Sequence, residues 1–323
     1  MRGFYRMRVN DQQLSIDVYV ELEPYLDRFP QYVLRDEKLQ ACSPFREERH
    51  PSFAVNLENG SWIDSGAVGD FRKGNFISLL AFLREESYED TCDYLINIYS
   101  PLKADENDLH LNMNFLTANT SAAPLKVFTA DELKPYAFRS TYLQQRGISE
   151  EVQRDFRVGY DPKRSAVAMC WCNQAGDVVN IKFRRVADKH FWYAGGQRIK
   201  EHLYGIHVYN RNTNSAVAIT ESEIDCMRLW TVGIPALALG SANTSKEQGL
   251  LLRNCGATEF IIATDNDAAG KQCGKKLEAL LVGTFKVSHF NFPRKDAKDI
   301  SDLTDEEIIS GYTKRRSVEL SNF

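Results

Sequence analysis

Two stretches decide how this chain reads: residues 216–225, AVAITESEID, and residues 261–270, IIATDNDAAG. Each is a short apolar run that ends on acids, Glu221 after AVAIT and Asp265-Asn266-Asp267 after FIIAT. They belong to a longer alternation. Strand-like runs at 216–220, 236–239, 260–264 and 285–290 alternate with helix-like segments at 224–232, 246–254 and 269–281. That pattern predicts a mostly parallel α/β sheet covered on both faces. Ligand sites in such sheets lie at the carboxyl ends of the strands, so acids directly after strands are candidates for chemistry. A third acidic group, Asp296 and Asp299, follows the last strand through Pro293-Arg294-Lys295.

Carboxylates brought to one sheet edge repel one another unless a cation neutralises them. Hard oxygen ligands favour Mg²⁺, Mn²⁺ or Ca²⁺ over zinc. Mg²⁺ commonly takes one or two carboxylates and completes its shell with water and phosphate oxygens, which suits nucleotidyl or phosphoryl transfer. Asp267 has a second reading as the N-cap of the helix that follows it. An EF-hand is excluded, because positions 5 and 12 of such a loop would be Ala269 and Lys276.

Upstream, residues 182–200 hold Lys182, Arg184, Arg185, Lys189, Arg198 and Lys200 against one acid, Asp188, with Phe183, Phe191, Trp192 and Tyr193 interleaved. Cations with aromatic faces suit a single strand or a nucleoside triphosphate. An amphipathic strand pair with its aromatics in the core has the same composition. Residues 126–211 carry 15 Lys/Arg against 9 Asp/Glu, whereas residues 1–125 carry 12 against 20, inside a chain of net charge −4. The basic middle third points to a polyanion partner or to a solvated face, and charge alone leaves both open. Residues 141–156 read as helix–turn–helix broken at Gly147, and 166–171 and 178–183 as strands joined by a turn.

With 323 residues, 43% hydrophobic and 26% charged, the chain is not disordered, collagenous or coiled-coil. Its length suggests about two or three domains. The expected division is a first unit at 1–102, a polar linker at 103–125, a basic subdomain at 126–211, the α/β unit at 212–300 and a tail at 301–323. No apolar run approaches the roughly 20 residues that span a bilayer, and no secretory signal is evident. Seven cysteines without a C-x-x-C pair predict a reducing, cytoplasmic setting.

The acidic stretches resemble the TOPRIM domain of primases and topoisomerases, which has a Glu after its first strand and an Asp-x-Asp after a later one. The resemblance implies Glu221 as an acid/base or metal-linked carboxylate, Asp265 and Asp267 as metal ligands, and Asp299 as the later acidic position. Ser222 stands where that family usually has Gly. The succession of residues 143–160, 181–186, 189–193 and 203–205 resembles the basic subdomain of DnaG-type and phage replicative primases. It implies that Lys182, Arg184, Lys189 and Arg146 hold nucleotide and template phosphates.

The first unit, through residues 43–46, 50–55 and 69–80, resembles the zinc-binding module of these primases. Its ligand positions here read Ser43, Arg46, Asp64 and Gly66 or Ala67, with Cys42 one place out of register. A structural zinc needs nearly all its ligands, so no zinc is expected. An Arg46–Asp64 ion pair is expected in its place, packed by Phe45, Phe53 and Trp62.

The function these resemblances imply is a DNA primase of phage or mobile-element type. It would make short RNA primers on single-stranded DNA from ribonucleoside triphosphates, with Mg²⁺ or Mn²⁺. No phosphate-binding Gly-x-x-x-x-Gly-Lys-Ser/Thr loop is present, so any helicase is expected to be a separate partner. The tail reads as a capping helix or a helicase dock. Two other readings stay open, a TOPRIM nuclease using the same acids and a non-catalytic DNA-binding relative.

Overall fold

The computed structural model describes residues 5–318, except 11, 36, 68–71, 100–124, 189 and 211–214. The expected linker lies outside the described residues, apart from Leu125. Three bodies follow one another along the chain, the first built on two sheets and the other two on one each.

The N-terminal body opens with an antiparallel hairpin of β1 (Tyr5–Val9) and β2 (Gln12–Ile16), then α1 (Val18–Leu22) and a 3-10 turn at Glu23–Arg28. An antiparallel sheet follows, of β3 (Val33–Arg35), β4 (Lys38–Ala41), β5 (Phe53–Asn56), β6 (Trp62–Asp64) and β7 (Lys73–Gly74), in that spatial order. Helices α2 (Phe76–Arg84) and α3 (Tyr88–Tyr99) complete it. The period of two along β5 and β6 turns Phe53, Val55 and Trp62 into the core. The same rule buries Asp64, which therefore needs a partner.

Arg46 is that partner, with its Nη2 3.0 Å from Asp64 Oδ1. The expected pair is present and is larger than expected. Glu48 Oε2 lies 2.5 Å from the same nitrogen, and Ser52 Oγ accepts from it at 2.8 Å. A Cβ at Gly66 would lie 2.0 Å from Arg46 Nη2, so the guanidinium occupies the space a side chain there would need. Phe45, Phe53 and Trp62 pack beside it with ring centroids 5.0–5.7 Å apart. A hydroxyl, a guanidinium, one carboxylate and a glycine are not a zinc donor set.

The middle body contains α4 (Ala130–Leu133), α5 (Tyr142–Gln145) and α6 (Glu150–Asp155). It continues through β8 (Gly159–Asp161), β9 (Ala166–Cys172), β10 (Val178–Arg185), β11 (Phe191–Tyr193) and α7 (Ile206–Tyr209). The sheet is antiparallel, in the order β11-β10-β9-β8. The helix–turn–helix read from sequence is α5 and α6, with Gly147 between them at φ +73°. Pairing of β10 with β11 draws the interleaved aromatics into packing. Phe183 and Trp192 stack at 5.3 Å, and Phe191 stacks at 5.8 Å on Phe82 of the N-terminal body.

The C-terminal body alternates β12 (Ala216–Thr220), α8 (Glu223–Thr231), β13 (Ala236–Ala238), α9 (Lys246–Asn254), β14 (Glu259–Ile262), α10 (Ala268–Leu281) and β15 (Lys286–His289). Strands β13-β12-β14-β15 are parallel, as the alternation predicts. The tail adds α11 (Asp305–Thr313) and β16 (Arg316–Ser317), an antiparallel edge strand on β15. It is therefore more than a capping helix, and Arg315 is tied to Glu259 at 2.8 Å.

The N-terminal body is docked on the other two. Arg198 pairs with Asp90 and, at 2.8 Å, with Asp93, and Lys200 lies 2.9 Å from Glu86. Ala242 and Ala269 of the C-terminal body belong to the N-terminal apolar cluster. No helix among the described residues is long and apolar enough to cross a membrane.

Candidate active site

Strands β12 and β14 end side by side and in register, with Ala263 N–H donating to Ile219 O at 2.9 Å just before the acids. Past Thr220 the chain turns at Glu221, and Ser222 caps α8 by accepting from Asp225 N–H at 3.1 Å. Past Thr264 comes the Asp-Asn-Asp loop. Glu221 Oε1 accepts the N–H of Asp265 at 3.0 Å, so one acid clamps the backbone that carries the next.

The rest of the loop is equally tied down. Asp267 caps α10, its Oδ1 accepting from Gly270 N–H at 2.7 Å. A Cβ at Gly270 would lie 2.1 Å from the Asp265 carbonyl oxygen, which gives the glycine of Asp-x-Asp-x-x-Gly its physical reason. Asn266 N–H donates to Lys298 O at 2.7 Å, and its side-chain amide donates to Ala297 O at 3.1 Å. Those bonds fasten the loop to the segment bearing Asp299. Asp299 caps the 3-10 turn at Ile300–Asp302, and Ser301 donates to Asp225 Oδ1 through N–H and Oγ at 2.9 and 2.7 Å.

These acids meet cations across a cavity of about 230 Å³, lined among others by Asp225, Asp265, Asp267, Asp299, Arg146, Lys182 and Arg184. Glu221 is buried behind Asp265, within hydrogen-bond reach of the loop. Asp296 is turned away, exposed and paired with Arg294 at 2.7 Å. Lys182 is buried, 3.1 Å from Glu223 and 3.6 Å from Glu85, and its ammonium sits 5.0 Å from the centre of the Phe191 ring. Arg146 is exposed at the cavity edge, beside the Tyr142 ring. Lys189 lies outside the described residues.

Burial and mutual repulsion set the electrostatics. Burial first, then the Asp267 charge, pushes Glu221 up to about 8, although the Asp265 N–H opposes the shift. Asp265 is held well above the usual carboxylate range by burial and by Glu221, Asp225 and Asp299. Asp299 is pushed up to about 7 by burial, Asp225 and Asp302. The raised values of Glu221, Asp265 and Asp299 favour protons there that a divalent cation would displace.

Among the described residues, no group of three or more His, Cys, Asp or Glu side chains is arranged to hold an ion by itself. The all-oxygen donor set nevertheless suits a hard divalent cation held by one or two carboxylates and completed by water or phosphate. Asp265, Asp267 and Asp299 are the candidates to hold it.

Sequence reasoning missed Asp225, one helical turn beyond Glu221, and missed a whole wall of the cavity. Asp27, Arg28 and Glu85 reach it from the N-terminal body. Asp225 was visible in AVAITESEID as an acid at the start of a helix. The others depend on docking between bodies, which leaves no local signal.

A Toprim-like family model matches residues 218–304, which contain Glu221, Asp265, Asp267 and Asp299. Residues 218–304 are thus similar to Toprim-like domains. A DNA primase of Helicobacter pylori strain J99 is 24% identical over 330 residues, covering 83% of this chain and 54% of the relative. A DNA primase of Pasteurella multocida is 27% identical over 129 residues, covering 38% and 22%. The chain thus spans about half the length of the first Helicobacter relatives it matches. Among solved structures, the zinc-binding and RNA polymerase domains of the Aquifex aeolicus primase align over 94% of this chain and 84% of theirs, at 18% identity and a TM-score of 0.48. The chain is similar to bacterial DNA primases over most of its length, and the match to the Toprim-like model falls on its C-terminal body.

Proposed function

We propose that this chain is a DNA primase that copies single-stranded DNA into short RNA primers from ribonucleoside triphosphates. The observation that carries the proposal is the cavity in which strand-end acids of the Toprim-like unit face Arg146, Lys182 and Arg184 of the basic body. Similarity to bacterial DNA primases over most of the chain supports it.

Asp265, Asp267 and Asp299 are assigned to hold Mg²⁺ or Mn²⁺, which when bound would lower the charge barrier to 3′-hydroxyl attack on the α-phosphate, with pyrophosphate leaving and the hydroxyl proton passing to solvent. Glu221 fixes the loop that bears Asp265 and Asp267 and can hold a proton at neutral pH. Arg146 and Arg184 bind triphosphate or template phosphates at the cavity edge, and Lys189 is assigned the same task. Lys182 acts chiefly by holding Glu223 and Glu85 in place.

The remaining assignments are a phage or mobile-element origin, a cytoplasmic location and a separate helicase partner. The test is incubation with single-stranded template, labelled ribonucleotides and Mg²⁺ or Mn²⁺. Template-dependent RNA products support the proposal. Shortening of the template would indicate a nuclease, and binding without products a non-catalytic relative.

A further inference from the structure

We infer that Arg28, supplied by the N-terminal body, is a substrate-binding residue of this cavity that holds the phosphates of the incoming nucleoside triphosphate. The inference rests on the primase reading and adds to it a residue from outside the Toprim-like and basic units.

The cavity has two walls, and the one from the N-terminal body sets the Arg28 guanidinium among two carboxylates, Asp27 and Glu85. Asp265 and Asp267, just past β14, and Asp299, capping the turn at Ile300–Asp302, line one side. The 3-10 turn at Glu23–Arg28 contributes to the other, and that turn packs against α10, the helix Asp267 caps. Tyr25 and Phe29 are buried on either side of Arg28, which fixes the turn in the N-terminal core. Arg28 Nη1 donates to Leu83 O at 3.1 Å and lies 3.5 Å from Glu85 Oε1. The guanidinium is thus anchored at one nitrogen while the side chain lines the cavity.

Its charge is secure. Burial works against the guanidinium, but Glu85, Asp265, Asp267 and Glu221 together raise its pKa further above its already high value. An arginine facing carboxylates across a cavity does two jobs in turn. Without ligand it offsets the negative charge of the acids. With a metal-bound triphosphate between the walls, the cation goes to the acids and the phosphates meet the guanidinium, whose planar fork matches phosphate geometry. Lys182 is a poor alternative, since two carboxylates already hold it in a buried position.

This geometry predicts a signature that a structural role does not produce. Loss of Arg28 weakens nucleotide binding and strengthens metal binding, because the same charge attracts phosphate and repels the ion. The experiment compares wild type, Arg28→Ala, Arg28→Lys and Arg198→Ala in two assays, steady-state primer synthesis and calorimetric titration with Mn²⁺-ATP and with Mn²⁺ alone. Arg28→Ala is expected to raise KM for ATP about tenfold or more, with a smaller change in kcat. The Mn²⁺ needed for half-saturation should fall about twofold or more. Arg28→Lys should recover part of the nucleotide affinity. Arg198→Ala, which loses the contacts to Asp90 and Asp93, should not produce the opposed pair of shifts.

Unchanged ATP affinity in Arg28→Ala beside an active wild type would overturn the inference and leave the primase reading standing. So would parallel weakening of both ligands without rescue by lysine. A wild type that makes no primers and binds no Mn²⁺-ATP would overturn both.

Discussion

Glu221 Oε1 accepts the Asp265 N–H at 3.0 Å, so the carboxylate at the end of β12 holds in place the loop that follows β14. The arrangement gathers like charges in a buried place, which costs stability in the absence of a cation. Asp265→Asn should therefore separate function from folding. Primer synthesis is expected to fall on the order of a thousandfold. The melting temperature without metal, near pH 8, should stay level or rise. Thermal melts in chelator beside a primer assay check both outcomes.

The raised pKa values fix a sign for pH dependence. Glu221 and Asp299, at about 8 and about 7, hold protons in the folded chain that they release when unfolded at neutral pH. The folded state then binds more protons, so metal-free stability declines as pH rises from the ordinary carboxylate range to about 8. A divalent cation bound at these acids would replace those protons. Its stabilising effect should be larger at about pH 8 than at about pH 6, and half-saturating Mg²⁺ should rise as pH falls. Melting curves with Mg²⁺ and with chelator at the two pH values check this. Equal metal stabilisation at both would contradict it.

Gly270→Ala should act on the site through the backbone. Its Cβ would lie 2.1 Å from the Asp265 carbonyl oxygen, so either α10 or the acidic loop must move. A cost of about 1–3 kcal/mol is expected, with activity lost beyond what the stability change explains. Melts and primer synthesis on the same preparation check it.

The C-terminal body was legible because its strands and helices alternate in the chain, and acids at strand ends need no tertiary information to be found. Lys246–Asn254 and Ala216–Thr220 even keep their expected bounds. The basic stretch was legible in charge but not in role. Lys182 and Phe183 alternate along β10 as any strand would, and pairing with β11 and docking of the N-terminal body bury them both. Arg28 was not legible at all, because its importance depends on a turn meeting a cavity built by residues far along the chain.

In the N-terminal body, the Arg46–Asp64 pair is half solvated on one side and buried on the other. Arg46→Met leaves Asp64 and Glu48 facing each other without their cation. Loss of about 2–4 kcal/mol is expected, somewhat below the full cost of breaking a buried pair. Wild-type stability of this body should not respond to a zinc chelator. Chemical denaturation followed by tryptophan fluorescence checks both, since Trp62 lies in the adjacent core.

The most direct test of the proposed metal-holding role of the acidic site is anomalous diffraction from crystals soaked in Mn²⁺ with a non-hydrolysable ribonucleoside triphosphate. A manganese peak within ligand distance of Asp265 or Asp267, with the triphosphate lying between the acids and the cavity's arginines, is the predicted result. Density for nucleotide or metal elsewhere, with the acidic loop still bare at saturating Mn²⁺, would contradict it.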